Sequence, residues 1–327
     1  MSLWLITGFS FFGKNIFNIW PIIFGVYLYS IYDKKSFLNY TLTALLSTTL
    51  APTVTVFNAN NKFNNPLIGL FIGSLVGIVI GFIMPSISSY ALRIHRGYNL
   101  YNVGFAGGIV ATILMSIFRL FGGNIESVLI WNSDYNSFFA LLLYSLSIYL
   151  IIIGYYYNNS PKDKLKKIMN EPGRLLSDFY LLFGESCYIN MGILGIISTS
   201  IVLLLNGSLN GATISGIFTI IGFGALGKTP KNVFPIFIGT ILGGLLSTDP
   251  VNSPSILLGI LFGTALAPIA GSFGILSGIV AGFLHICTVT NVGYLHGGMN
   301  LYNNGLAAGF VTLILIPILS TFKEEIY

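Results

Sequence analysis

Charge is scarce in this sequence: Asp, Glu, Lys and Arg make up 8% of 327 residues, hydrophobic residues make up 54%, and the mean hydropathy is +0.83. A soluble domain could not cover its surface with so few charged groups, which points to an all-α polytopic membrane protein whose first partner is the lipid bilayer. Cysteine is nearly absent. Cys187 and Cys287 both lie in apolar stretches, which excludes a disulfide framework and gives no metal-ligand spacing. The net charge of +5 and the pI near 9.1 do not imply nucleic acid, because the basic residues stand singly or between apolar runs and read as topology signals. There is no Ser-His-Asp order with a nucleophile context, no phosphate-binding loop and no third ligand for the paired histidines. Neither an enzyme nor a cofactor or metal is expected. The chain start shows no basic n-region and no small-residue cleavage site, so no signal peptide is expected.

Long apolar runs are what the sequence has instead. Eleven are candidates to cross roughly 30 Å of hydrocarbon: residues 16–32, 37–57, 66–84, 99–118, 137–157, 188–206, 210–227, 232–247, 254–271, 273–292 and 300–319. Several are short or interrupted by Gly and Pro, the pattern of tilted or discontinuous helices. Residues 1–12 are apolar but too short to span alone. The one extended polar connection, 158–174, holds Lys162, Lys164, Lys166, Lys167 and Arg174; it is expected to be cytoplasmic, with surface helix at most. Walking outward from it places Lys34, Lys35, Arg93, Arg96, Lys228, Lys231 and Lys323 on the same side and Glu126, Asp134 and Asp249 on the other. Lys14, Lys62 and Arg119 are exceptions.

A duplication organises these runs. His95-Arg-Gly-Tyr-Asn-Leu-Tyr-Asn-Val-Gly recurs 201 residues on as His296-Gly-Gly-Met-Asn-Leu-Tyr-Asn-Asn-Gly, and in that register 73–114 matches 274–315 at 19 of 42 positions. Thr-Thr-Leu-Ala-Pro ending at Pro52 matches Thr-Ala-Leu-Ala-Pro ending at Pro268. Ile6, Gly8, Phe9, Gly13, Lys14, Asn18, Pro21, Ile22 and Gly25 match Ile220, Gly222, Phe223, Gly227, Lys228, Asn232, Pro235, Ile236 and Gly239. The first copy carries a longer loop around 58–65. The organisation is a first repeat over 1–157, a basic connection and helix start over 158–187, and a second repeat over 188–327 with a permuted or extra leading helix. Seven spans start between 16–32 and 232–247 if every run crosses, and an odd number turns the second copy over. Two inverted-topology repeats with broken or re-entrant helices are therefore expected, and the charge walk agrees by placing Lys14 and Lys228 on opposite sides.

Within each copy the motifs divide into packing and function. Gly73, Gly77 and Gly81, with Gly274, Gly278 and Gly282, recur every four residues and read as faces for helix packing. Pro52 and Pro268 end or kink helices. The His-x-Gly-x-Asn-Leu-Tyr-Asn segment has the character of a helix break, where unpaired donors at a helix N-terminus meet a polar solute near the midplane. Its candidate path residues are His95, Asn99, Tyr101, Asn102, His296, Asn300, Tyr302 and Asn303; the bland reading is that the asparagines only cap and tie helices. Glu185, which has no duplicate, is open between a coupling carboxylate, an ion-pair partner of Arg174 and an interfacial residue. His285 stands opposite Met84 and reads as a packing histidine. Trp20, Trp131 and Tyr155 to Tyr157 read as interfacial anchors.

The duplicated Asn-Leu-Tyr-Asn-x-Gly block resembles an uncharacterised, internally duplicated bacterial membrane-protein family over nearly the whole chain, which implies the bacterial cytoplasmic membrane as its location. More distantly the layout is similar to urea transporters: Gly13 with Pro21, and Gly227 with Pro235, keep one spacing, and Tyr101-Asn102 and Tyr302-Asn303 keep a second pair. Ile19-Trp20 and Val233-Phe234 stand where that family has Asn-Asn, and the glycine after Tyr-Asn is displaced by one. Together with the absence of duplicated charges in apolar runs, this gives a channel or transporter for a small neutral or weakly charged polar solute of the urea, amide or ammonia kind. The alternatives are a proton- or sodium-coupled secondary transporter using Glu185 and a histidine, and a membrane scaffold without transport. A homo-oligomer, trimer or dimer, is compatible with this size.

Overall fold

The computed structural model describes all residues except 60–65, 126–129, 176 and 325–327, and the described residues form helices and no strands. Lys62 and Glu126 of the charge walk, and most of the loop at 58–65, lie outside them. The first copy comprises α1 (Ser2–Ser10), α2 (Ile16–Tyr32), α3 (Thr41–Ser47), α4 (Ala51–Ala59), α5 (Pro66–Ile94) and α6 (Asn102–Leu120). Then come α7 (Asn136–Tyr156), α8 (Pro161–Asn170), α9 (Phe179–Phe183) and α10 (Ser186–Leu204). The second copy repeats the first six as α11 (Gly211–Phe223), α12 (Pro230–Leu245), α13 (Pro254–Gly263), α14 (Ala267–Phe273), α15 (Ile275–His296) and α16 (Asn303–Glu324). Among the described residues seven helices are long and apolar enough to cross a membrane, with α13 and α14 counted as one. The run 37–57 is not one helix: it divides into short helical pieces on either side of a 3-10 turn at Thr48–Leu50, just as α13 and α14 are divided at Thr264–Leu266. Each turn is followed by a proline at the second position of the next helix, where its missing N–H breaks no ladder bond.

Matched local signals end matched helices. After α1 and α11 the Lys14 and Lys228 amides donate to the Phe9 and Phe223 carbonyls five residues back, at 3.1 and 3.0 Å, with Gly13 and Gly227 at φ 88° and 122° between them. This is the Schellman pattern, which needs a left-handed residue just before the closing amide. Directly afterwards Asn15 and Thr229 cap α2 and α12 in capping boxes completed by Asn18 and Asn232. The lysines are thus pinned between a helix stop and a helix start. Beyond α5 and α15, two consecutive left-handed residues stop the helix, Arg96 and Gly97 in one copy and Gly297 and Gly298 in the other.

Inside each copy, α2 crosses α5, and α12 crosses α15, at paired glycines. A side chain on Gly25 or Gly81 would collide with the Ile78 or Ile22 carbonyl, and one on Gly239 or Gly282 with the Ile279 or Ile236 carbonyl. Gly77 and Gly278 face Pro21 and Pro235, and Gly73 is buried in α5. Gly274 departs from the four-residue stripe: it is the cap of α15 at φ 92° with open space around it, because the second copy joins α14 to α15 through this one residue.

The copies meet through equivalent segments in antiparallel register. Gly8 packs on Ser215 while Gly222 packs on Met1 and Trp4; Gly108 packs on Leu306 while Gly309 packs on Phe105. Further along, Met115 lies against Gly297, and Arg119 donates to the Tyr294 carbonyl at 2.7 Å. A pair of contacts that exchanges partners in this way is the signature of two-fold symmetry. Helices α7 and α10 stand outside the duplication, packed together beside α11.

Candidate functional site at the repeat interface

The extended segments that follow α5 and α15 are held by the opposite copy. The Leu100 amide donates to the Ala265 carbonyl at 3.0 Å and the Leu301 amide to the Thr49 carbonyl at 2.9 Å, so the 3-10 break in each copy supplies an acceptor to the other. Asn99 Nδ2 donates to the Gly305 carbonyl at 3.0 Å and Asn300 Nδ2 to the Gly104 carbonyl at 3.4 Å. Their Oδ1 atoms accept from the Tyr101 and Tyr302 amides. These four residues are buried. An asparagine is suited to this double task because one side chain offers a donor and an acceptor without charge.

His95 and His296 do a different job. Their Nε2 atoms pair with Asn102 Oδ1 at 2.9 Å and Asn303 Oδ1 at 2.8 Å, and the same asparagines donate to the Ser88 and Val289 carbonyls. Each His–Asn pair fastens the first turn of α6 or α16 to its own α5 or α15. Of the eight path candidates the structure therefore brings Tyr101 and Tyr302 to the centre, uses Asn99 and Asn300 to cross between copies, and sets the two His–Asn pairs within copies.

The charged members of the site are residues that the sequence reading gave to topology. Lys14 is 5% exposed and Lys228 is 0% exposed. Lys14 Nζ donates to Tyr302 Oη at 2.8 Å and stands over the rings of Phe9 and Tyr302 at 5.3 and 4.9 Å. Lys228 Nζ donates to Tyr101 Oη at 2.5 Å and Thr264 Oγ1 at 2.7 Å, over the rings of Tyr101 and Phe223 at 4.6 and 5.3 Å. Two expectations are corrected by this. A duplicated charge is present within the apolar interior, and buried lysines do not report membrane side, so neither belongs in the charge walk. The signal was in the alignment: Gly13-Lys14 and Gly227-Lys228 are matched residues.

Between the two tyrosines lies a cavity of about 20 Å³, room for about one water molecule. All of its lining but Leu301 comes in equivalent pairs: Leu5 with Thr219, Phe9 with Phe223, Leu46 with Phe262, Tyr101 with Tyr302, Val103 with Asn304, and Gly104 with Gly305. A residue and its equivalent line one small space from both sides only on the two-fold axis. The wall departs from symmetry at Leu5 and Thr219, at Leu46 and Phe262, and at Val103 and Asn304, where Asn304 Oδ1 pairs with His285 Nε2 at 2.9 Å while the first copy has Val103 and Met84. His285 thus packs as expected but has a polar partner.

Glu185 lies apart from this axis, half-buried at the start of α10. Arg174 does not pair with it: the guanidinium donates to the Arg96 carbonyl and stacks over Tyr98 at 4.5 Å. Among the described residues the one ion pair is Lys35 with Asp33, and no cluster of His, Cys, Asp and Glu is suited to a metal.

The helices and their apolar surfaces define a polytopic α-helical membrane protein with an internal duplication. The chain belongs to the family described as "Protein of unknown function (DUF1576)", whose model matches residues 1–120 and 157–321. The unmatched stretch between these regions contains α7, which lies outside the duplication. No curated protein and no solved structure, urea transporters included, matches the chain.

Proposed function

We propose that this protein is a channel or transporter for a small solute, with its path along the interface of two inverted repeats in a bacterial cytoplasmic membrane. The axial cavity between Tyr101 and Tyr302 carries this reading, since it is walled by both copies and sits where their helices are interrupted. Inversion is supported by the antiparallel contacts between equivalent segments: a two-fold axis along the membrane normal would leave equivalent spanning helices parallel. It is supported also by α11, whose start is bonded to Asn132 ahead of α7 and to Asn136 at its first residue, and whose end is bonded to Phe179 and Asn190 at the opposite end of the α7–α10 pair. Tyr101 and Tyr302 line the path, and the surrounding asparagines and histidines hold the segments that carry them. The cavity admits one water-sized group at a time, which limits solutes to the smallest polar molecules and ions unless the tyrosines part.

The test is flux. Stopped-flow light scattering on proteoliposomes is expected to show uptake of urea, formamide or methylamine above protein-free vesicles, falling at least tenfold when Val103→Phe enlarges a side chain of the cavity wall. Wild-type rates equal to those of protein-free vesicles for these solutes and for small ions would remove the transport reading. A coupled transporter is the second reading, favoured by the His285–Asn304 pair, which places a titratable group on one side only of a site walled by both copies. Counterflow that requires a proton or sodium gradient would select it.

A further inference from the structure

We propose that the axial site takes a small monovalent inorganic anion, of halide size, between Tyr101 and Tyr302, whose hydroxyls Lys228 and Lys14 bond from behind. This rests on the transport reading above and names its substrate class. Two lysines in the membrane interior are costly to keep protonated unless an opposite charge joins them. Among the described residues no carboxylate supplies one. Asp33, Asp134, Asp163, Glu171, Asp178, Glu185 and Asp249 all lie in connections, in α8 or at a helix start, and among the described residues neither lysine has an ion-pair partner. What each lysine has is a tyrosine oxygen and two aromatic faces, which hold a cation in place without cancelling its charge.

The same hydrogen bonds set the polarity of the cavity. A tyrosine oxygen that accepts from an ammonium keeps its proton to give, and donation from a charged group strengthens the next bond in the chain. Asn304 spends its oxygen on His285 and keeps its amide hydrogens, while Thr219 donates to the Ser215 carbonyl. The rest of the wall is aliphatic or aromatic, and ring edges carry partial positive charge. Donors backed by two buried lysines, around a space for one small body, select an anion over a neutral amide. Polyatomic anions larger than the cavity require the tyrosines to separate.

The experiment measures anion efflux with an ion-selective electrode from proteoliposomes loaded with potassium fluoride or potassium chloride, the potassium released by valinomycin. The same vesicles are tested for urea uptake. Halide efflux well above protein-free vesicles, lost at least tenfold in the Lys14→Met, Lys228→Met double variant, is the expected result. Tyr302→Phe keeps the ring and removes the hydroxyl, and its efflux is expected to fall several-fold with an unchanged gel-filtration profile. Should the double variant fail to fold, the wild type still decides: its unfolding midpoint in detergent is expected to be higher in chloride than in gluconate. Urea uptake without halide efflux, or efflux unaffected by the lysine changes, overturns the anion proposal and leaves the transport reading standing. Absence of both fluxes overturns both.

Discussion

Lys14 and Tyr302 are 288 residues apart in sequence and joined by a buried 2.8 Å hydrogen bond. Lys228 and Tyr101 repeat the relation from the other copy. Each lysine belongs to the turn that ends the first helix of its copy, and each tyrosine to the segment that opens the last. The two bonds therefore tie the ends of both repeats to one axis, and they place ionisable side chains where a membrane protein tolerates them only for a purpose.

Replacing both lysines by methionine is expected to leave the fold intact in gluconate buffer, or to stabilise it by about 1–3 kcal/mol, because exchanging buried charge for an apolar chain of similar length removes desolvation. The thermal unfolding midpoint in detergent measures this. A drop of many degrees would mean that the ammonium groups are compensated by the protein itself.

Asn99→Ala removes the second donor to the Gly305 carbonyl and the acceptor for the Tyr101 amide at once, leaving that buried amide unpaired. A loss of about 2–4 kcal/mol is expected. Asn300→Ala should cost a similar amount, since Thr49 also donates to its oxygen. Denaturant unfolding of the two single variants that showed no loss would make these bonds dispensable.

Gly81→Ala forces a methyl group into the Ile22 carbonyl on α2, and Gly282→Ala does the same against Ile236 on α12. Backbone cannot yield as a side chain does, so each change should destabilise by about 3 kcal/mol or abolish accumulation in the membrane. Gly122→Ala is the control for space, since nothing lies within 4 Å of its added carbon and only its φ of 72° opposes it. Equal yields of the Gly81 variant and wild type would refute the close crossing.

The His285–Asn304 pair can be exchanged for the residues of the other copy. Asn304→Val alone strands His285 Nε2 in the interior and is expected to destabilise by about 1–3 kcal/mol. Adding His285→Met should recover most of that loss, because Met84 and Val103 already occupy the equivalent places. A double-mutant cycle on thermal unfolding gives the coupling, and a value near zero would show that the two side chains do not interact.

Much of the fold was legible in the residues. The apolar runs over 137–157 and 188–206 became α7 and α10 almost end for end, since a uniform apolar stretch in a bilayer has no better way to satisfy its backbone than helix. The run 37–57 is apolar but not one helix, because hydropathy does not register a 3-10 turn of threonines. The glycine stripe failed at Gly274 for a related reason: spacing of four holds only while the helix continues, and there it stops. At the site, the Asn-Leu-Tyr-Asn segment stood out as polar residues in apolar surroundings, whereas Lys14 and Lys228 were mistaken for loop charges because a lysine beside a helix end looks the same in sequence whether it points to water or inward.

The sequence by itself determined that the chain is helical and membrane-embedded, that it is built twice over, and which turns stop and restart the helices, because these follow from local hydropathy and from glycine, proline and asparagine chemistry within a few residues. Only the tertiary structure decided that the lysine of one copy meets the tyrosine of the other around an axial cavity. That pairing depends on how two copies pack across an axis, and burial and antiparallel contact are properties of the packed pair that no single stretch of residues contains.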